Sequence, residues 1–205
     1  MIEKALKDFL TLWVTIEPVG TVVLFASLSV RLSALQRRKV ALKAVVYSTV
    51  ILLASIVVGQ VLLTAMQVQL ISLQVAGGLI LFLFALQMIF GFPQDPSTAP
   101  EEGHDISVYP LAVPSIAGAE AIMAVVLLTD NHIYPISTQA MTAGVVVLIM
   151  TITYGLMLLA GPIVRLIGSN GAAILERVTG MVLAALAIEL IMEAIGVARW
   201  ISPAS

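Results

Sequence analysis

The chain has 205 residues, of which 60% are hydrophobic and 11% are charged, and its mean hydropathy is +1.08. Soluble domains carry about 25% charged residues, so this composition indicates an integral membrane protein. The net charge is −2 and no basic patch with interleaved aromatic residues is present, so nothing points to nucleic acid as a partner. The lack of cysteine excludes disulfides, thiolate metal sites and a cysteine nucleophile.

Six apolar segments are long enough to cross a bilayer, which needs about 20 residues each. In chain order they cover residues 6–30, 40–66, 70–92, 109–129, 139–167 and 174–197. The fifth is long for one crossing and is predicted to bend near Gly161–Pro162. Short turns are predicted at Asp130–His132 and Gly168–Gly171. An acidic, proline-rich linker at 93–108 separates a first repeat, 1–92, from a second, 109–205.

Two of the six segments are interrupted by proline and glycine at mid-length. The first contains Ile16-Glu17-Pro18-Val19-Gly20-Thr21, and the fourth contains Val113-Pro114-Ser115-Ile116-Ala117-Gly118-Ala119-Glu120. Proline lacks a backbone N–H and clashes with the preceding turn, while glycine adopts dihedrals closed to other residues. Both motifs therefore predict a discontinuous helix. The alternative is a simple kink whose backbone is satisfied by Ser, Thr or water.

A weak internal repeat relates the two halves. Five pairs of residues are separated by 102 positions: Gly59 and Gly161, Gly78 and Gly180, Ala85 and Ala187, Gln87 and Glu189, and Ile89 and Ile191. Because each half would hold an odd number of spans, the second half must enter the membrane from the opposite side. The predicted fold is therefore all-α and polytopic, with six transmembrane helices in two inverted three-helix repeats and with helices 1 and 4 discontinuous.

Basic residues predict the orientation. They lie near the first and fifth connections, at Arg31, Arg37, Arg38, Lys39, Lys43, Arg165 and Arg177. With six spans both connections share one side, which the positive-inside rule assigns to the cytoplasm. We therefore expect a multi-pass plasma membrane protein with its N-terminus outside, although Lys4 and Lys7 argue for the opposite orientation.

Each break is expected to leave backbone groups without helical partners. Free N–H groups at Gly20–Val22 and Gly118–Glu120 would bind an anionic group, as helix N-termini do. Free carbonyls at Thr15–Glu17 and Pro114–Ile116 would suit an ammonium or a cation. A small zwitterionic or anionic solute fits both. The predicted substrate-binding residues are Glu17, Pro18, Val19, Gly20, Thr21, Ser115, Ile116, Ala117, Gly118, Ala119 and Glu120.

Three carboxylates are candidates for coupling to protons or sodium ions: Glu17, Glu120 and Glu189. An ionisable group at bilayer depth is a functional hypothesis by default. Glu189 and Glu193 share one helical face and could relay protons. Each of these groups could instead be a protonated packing residue. No catalytic constellation, metal-ligand spacing or cofactor motif is present, so no enzyme activity, metal or cofactor is expected.

Four stretches resemble the MarC family of bacterial and archaeal membrane proteins, and the resemblance covers nearly the whole chain. They are Glu17–Gly20, Val75–Phe82, Val113–Gly118 and Glu176–Glu189. The resemblance implies a six-span inverted repeat with discontinuous first and fourth helices. Through the small neutral amino acid transporters to which the family is related, it also implies substrates such as glycine or alanine.

The chain departs from the family pattern at four places. The family usually has Asp where Glu17 stands, another polar residue where Thr21 stands, Pro where Val23 stands, and Pro-Gly where Ala119-Glu120 stands. An added carboxylate beside the site would alter substrate charge or ion coupling.

The function expected first is therefore a secondary transporter of small neutral amino acids that works by alternating access and is driven by an ion gradient. The alternatives are a carrier or exchanger of an inorganic cation or other small solute, and a membrane assembly protein or intramembrane enzyme. The expected partners are a small-molecule substrate, the lipid bilayer, a coupling ion (H⁺ or Na⁺) and, on size alone, further copies of the chain.

Overall fold

The computed structural model describes residues 2–30, 32–65, 67, 69–91, 105–131 and 133–196, which are helical with short connections and contain no strand. Seven helices are α1 Ile2–Ile16, α2 Pro18–Leu28, α3 Ala34–Ala65, α4 Leu70–Phe90, α5 Ala119–Leu128, α6 Ile136–Leu158 and α7 Ala160–Ala194. Between α4 and α5 lies the proline segment, Ser107–Ile116, which has wide helical turns interrupted by extended residues at Tyr109 and Val113. The first and fourth apolar segments are thus discontinuous, as predicted.

Four helical stretches are long and apolar enough to cross a membrane: Ile2–Leu28, Ala34–Gly59, Ile71–Phe90 and Ile136–Leu158. The first of these counts α1 and α2 as one span. The proline segment and α5 form a fifth candidate, bent by 52° at its break. The described residues therefore support an all-helical membrane protein with four or five candidate spans.

Several predicted boundaries shift. Helix α3 begins at Ala34 rather than residue 40, because Arg and Lys are good helix formers and extend it into the basic stretch. The proline segment begins at Ser107, so the predicted linker ends earlier than residue 108; its residues up to 104, and His132, lie outside the described residues.

The helix predicted to bend near Gly161–Pro162 is interrupted at Leu159 instead, between the end of α6 at Leu158 and the start of α7 at Ala160. Pro162 then occupies the first turn of α7, where its missing N–H removes no helical bond. The turn predicted at Gly168–Gly171 is reduced to one residue, Gly168, whose φ of 68° interrupts an otherwise continuous α7.

Helices α4 and α7 pack as an antiparallel pair at very short range. A Cβ on Gly78 would lie 2.9 Å from the Ala187 carbonyl oxygen and 2.6 Å from Ile191 Cγ1. A Cβ on Gly180 would lie 3.0 Å from the Ala85 carbonyl oxygen and 3.1 Å from Ile89 Cγ1. Small residues allow this approach, which membrane helices use in place of a hydrophobic driving force.

A separate core joins the remaining helices around the breaks. Its fully buried members come from α1, α2, α3, the proline segment, α5 and α6, and include Leu12, Ile16, Leu52, Leu111 and Ile149. Helix α3 packs against the proline segment, α5 and α6, while α2 packs against α6 and α7. The two broken spans therefore lie inside a frame of unbroken helices.

We expect Gly78→Ala and Gly180→Ala each to destabilise the protein by about 1–3 kcal/mol, because a methyl group there meets a carbonyl oxygen of the facing helix. Reversible unfolding in mixed micelles measures this. The matched control is Gly144→Ala in α6, where a Cβ meets nothing within 4 Å. That change should leave stability equal or slightly higher, because alanine is the better helix former. Equal effects at all three glycines would contradict the close α4–α7 packing.

Candidate functional site

The first break consists of a single residue, Glu17. Its dihedrals, φ 51° and ψ 62°, are left-handed, which is uncommon for a non-glycine residue and carries strain. Pro18 follows as the first residue of α2, the helical position that proline prefers. The Glu17 N–H donates to the Trp13 carbonyl, and the Glu17 carbonyl accepts from the Thr21 N–H, both at 3.1 Å. The backbone therefore changes direction while its hydrogen bonds continue.

The second break is wider. The proline segment ends at Ile116, and Ala117 and Gly118 are non-helical before α5 starts at Ala119. The Ala117 N–H donates back to the Ala112 carbonyl at 2.9 Å, and that carbonyl also accepts from the buried Ser48 hydroxyl of α3 at 3.3 Å. A neighbouring helix thus helps to satisfy backbone that would otherwise be unpaired at membrane depth.

The two breaks meet. Thr21, in the first turn of α2, and Ser115, near the end of the proline segment, have their hydroxyl oxygens 3.2 Å apart, at hydrogen-bond distance. Thr21 is buried and Ser115 half-buried. These residues are 94 positions apart in the chain, and both belong to the predicted substrate-binding set.

A carboxylate covers the glycine at each break. A Cβ on Gly20 would lie 2.7 Å from Glu17 Oε1, and one on Gly118 would lie 2.6 Å from the carboxyl carbon of Glu120. Glu120 is 7% exposed and stands in the first turn of α5, where the helix dipole favours a negative charge. Glu17 is half-buried. Both glycines therefore provide the space in which an acidic side chain lies against the start of a half-helix.

The other predicted site residues are distributed around these groups. Pro18, Ile116, Ala117 and Gly118 are buried, Val19 and Gly20 are half-buried, and Ala119 is exposed.

Two backbone predictions were wrong in detail. The Thr21 N–H and the Glu17 carbonyl are bonded to each other rather than free, because α2 starts at Pro18 and not at Gly20. In α2 the N–H groups left without a helical partner are those of Val19 and Gly20; in α5 they are those of its first turn.

Glu189 and Glu193 have exposed side chains on α7. Gln87, the counterpart of Glu189 in the repeat, is exposed on α4. The structure thus places Glu17 and Glu120 at the breaks and Glu189 on the outer surface of the chain.

Sequence reasoning missed a buried polar cluster at the start of α1, which we call the Lys4 cluster: Lys4, Asp8, Tyr134 and Thr142. Asp8 is 1% exposed and accepts from Lys4 Nζ at 2.7 Å and from the Thr142 hydroxyl at 2.6 Å. Lys4 Nζ lies 4.1 Å from the centre of the Tyr134 ring. The signal available in the sequence was the i, i+4 spacing of Lys4 and Asp8 beside an apolar run.

The opposite end of the broken spans carries a different set of polar contacts. Arg37 of α3 donates to the Ser29 carbonyl at the end of α2, at 2.9 Å. Lys43 of α3 pairs with Asp105 at 3.0 Å, and both side chains are about half exposed. Hydrogen bonds from the Ser107 hydroxyl and N–H, and to a smaller extent from the Lys43 ammonium, lower the pKa of Asp105 to about 2. This carboxylate therefore stays ionised at physiological pH.

Within the described ranges, no group of three or more His, Asp or Glu side chains is arranged to hold a metal ion.

Comparison with known proteins now identifies the chain. A family model described as MarC family integral membrane protein matches residues 2–198. The chain belongs to the MarC family. This MarC protein is 31% identical over 195 residues to a UPF0056 membrane protein of Archaeoglobus fulgidus, with 91% of this chain and 89% of the relative covered.

It is also 26% identical over 186 residues to the UPF0056 inner membrane protein YhgN of Escherichia coli K12, with 90% and 91% covered. No solved structure matches the MarC protein significantly. The family resemblance found in the sequence is therefore confirmed.

A double-mutant cycle tests the contact between the two breaks. Thr21→Val and Ser115→Ala each remove one hydroxyl, so the double variant should be less destabilised than the sum of the singles by about 1 kcal/mol. Unfolding in mixed micelles provides the four stabilities. The control cycle combines Thr21→Val with Thr151→Val, since the exposed Thr151 donates to Val147 of its own helix. That cycle should be additive within about 0.5 kcal/mol; additivity in both would show that the breaks do not interact.

Proposed function

We propose that this MarC protein is a secondary transporter of small neutral amino acids of the glycine and alanine class. It would work by alternating access and be driven by a proton or sodium gradient. The observation that carries the proposal is the meeting of two interrupted helices at Thr21 and Ser115, with Glu17 and Glu120 against the glycines that flank this contact. Transporters of several folds bind substrate where discontinuous helices meet near mid-membrane.

The chemistry around the breaks matches the two ends of an amino acid. The N–H groups at the starts of α2 and α5 suit the substrate carboxylate, because the first turn of a helix lacks helical partners for its donors and carries a partial positive charge. The carboxylates of Glu17 and Glu120 suit the ammonium. Each carboxylate lies against the glycine of its break, beside the helix start that would receive the substrate carboxylate.

The six-span inverted repeat belongs to the same proposal. The contacts of Gly78 with Ala187 and Ile191, and of Gly180 with Ala85 and Ile89, support it. Each residue in the first contact is 102 positions from its counterpart in the second. Two halves related by a pseudo-two-fold axis in the membrane plane would produce such paired contacts.

We also propose that the N-terminus lies outside, in the plasma membrane. Lys4 and Lys7 lie near the first span and are outnumbered by the basic residues that follow it. The basic stretch at the start of α3, with Arg37, Arg38, Lys39 and Lys43, would then be cytoplasmic by the positive-inside rule. The Escherichia coli relative is named an inner membrane protein, in keeping with this location.

A second candidate is a carrier of an inorganic cation. The observation that favours it is the pair of carboxylates at the breaks, one of which, Glu120, is 7% exposed. Buried carboxylates with nearby carbonyls are the ligands that hard cations prefer. In either case the protein is proposed to be a carrier rather than an enzyme. Further copies of the chain remain a proposed partner on size alone.

The direct test is uptake of radiolabelled glycine and alanine into proteoliposomes, with and without imposed proton and sodium gradients. We expect uptake that depends on one gradient and falls at least about tenfold in Glu17→Gln, because a neutral amide loses a charge-assisted bond to the substrate or ion. Glu3→Gln is the matched control, since Glu3 is an exposed acid on the same helix, and it should transport normally.

No uptake under either gradient, from protein that is monodisperse in detergent, would overturn the amino acid proposal. Flux of sodium or other cations that fails in Glu120→Gln would instead support the second candidate.

Gly20→Ala should lower uptake about as much as Glu17→Gln does while costing little stability, because the new methyl group displaces only the flexible end of the Glu17 side chain. Uptake and unfolding are measured on the same preparation. A loss of stability matching that of Gly78→Ala would mean that Gly20 has a packing role instead.

A further inference from the structure

The Lys4 cluster joins parts of the chain that are far apart in sequence. Lys4 Nζ donates to both carboxylate oxygens of Asp8, at 3.0 and 2.7 Å, and to the Leu128 carbonyl at 3.3 Å. The Thr142 hydroxyl bonds the same carboxylate from α6, and Tyr134 places its ring under the ammonium. We propose that this cluster is the closed gate on one side of the solute pathway, an inference that rests on the transport function proposed above.

The position of the cluster along the broken spans indicates a gate. Helix α1 ends at the first break and α5 begins at the second, and the two half-helices pack against each other. Asp8 lies nine residues before Glu17, which is about 13 Å along a helix. Leu128 is the last residue of α5. Lys4 therefore binds together the far ends of the two half-helices that lead from the breaks to this side.

The cluster is built to exclude water. Asp8 is 1% exposed and Thr142 is fully buried, while the Lys4 side chain is 19% exposed. Further acidic groups lie nearby, since Asp130 and Glu193 act electrostatically on Tyr134 together with Asp8. An ammonium held by a carboxylate, a hydroxyl, a carbonyl and an aromatic face has replaced its hydration shell with protein groups.

The charge pair described on the opposite side of the breaks is more exposed to water. There α2 and the proline segment are the half-helices that lead outward from the breaks. The charge pair at that end, Lys43 with Asp105, is 55% and 44% exposed. The two ion pairs of the described residues therefore differ, because Lys4–Asp8 is largely buried and Lys43–Asp105 is solvated. In alternating access, one side of the pathway is closed to water while the other side is open.

The ion pair between Lys4 and Asp8 can also separate. The cost of removing two charges from water largely offsets their attraction, so a buried ion pair contributes little net stability compared with the same two groups in water. Rehydration of Lys4 and Asp8 would release α1 from α5 and α6, and so free the end of the pathway. The closed pair thereby selects between conformations rather than holding the fold together.

Because the chain contains no cysteine, single-cysteine accessibility tests the gate without any transport assay. The reporter is Ser115→Cys at the breaks, and a charged, membrane-impermeant thiol reagent is added to one face of sealed vesicles at a time. Ile2→Cys marks the face that carries Lys4, because Ile2 is 88% exposed. In the otherwise unchanged protein we expect slow labelling of the reporter from that face.

Opening the gate should raise labelling from the Lys4 face by about tenfold, as expected when a minor open state populated at about 0.1–10% becomes a major one. Asp8→Asn and Thr142→Val should both do so, since each removes one bond to the buried pair. Thr142→Ser keeps the hydroxyl and should label as slowly as the parent. Lys43→Gln, at the opposite pair, should leave labelling from the Lys4 face unchanged.

Rapid labelling of the parent reporter from the Lys4 face, or labelling within about twofold of the parent in both Asp8→Asn and Thr142→Val, would overturn the gate. If Asp8→Asn fails to fold, the Thr142 pair of variants decides the question, because valine and threonine have nearly the same shape. The proposed substrate is tested separately: a shift in labelling without amino acid uptake would retain the gate and reject the substrate, and uptake without a shift would do the reverse.

Discussion

The structure depends on how an interrupted backbone is kept hydrogen-bonded inside a membrane. Each unpaired amide or carbonyl in hydrocarbon costs several kcal/mol, so helices rarely open there. At the first break the bonds of Glu17 continue on both sides of a left-handed residue. At the second, the Ala112 carbonyl accepts from Ala117 and from Ser48 of a neighbouring helix. These hydrogen bonds, together with the packing of neighbouring helices, stabilise both breaks.

The buried apolar residues form two clusters with different packing. The breaks lie in the cluster formed by α1, α2, α3, the proline segment, α5, α6 and the start of α7. Helices α4 and α7 form their own core, with Leu81, Ala85 and Leu183 buried between them. Backbones held as close as those at Gly78 and Gly180 leave little freedom to slide. The α4–α7 pair is thus suited to be the fixed part of the molecule.

The sequence predicted those features whose causes are local. Proline and glycine placed together in the middle of an apolar segment disrupt a helix through local sterics, so both breaks were predicted within a residue or two. Helix α3 starts at Ala34, six residues before the predicted span at 40, because arginine and lysine are helix formers even where their charge ends the apolar segment.

The features that were missed depend on tertiary structure. The buried pair of Lys4 and Asp8 was not predicted, because the residues around it, Leu128, Tyr134 and Thr142, come from a distant part of the chain. No local pattern shows that a carboxylate near the N-terminus is buried. Glu189 lies in an apolar segment and its side chain is exposed on α7, so its role in ion coupling stays a prediction. Burial of one face of a helix becomes known only when its neighbours are placed.

The two breaks differ in how many torsions they leave free to turn. At the first, only Glu17 departs from helical dihedrals, and the ring of Pro18 fixes the next φ near −65°. At the second, Val113, Ala117 and Gly118 all depart from them. The first break therefore has one residue whose torsions can change, and the second has three. We expect rotation between half-helices to be concentrated between the proline segment and α5.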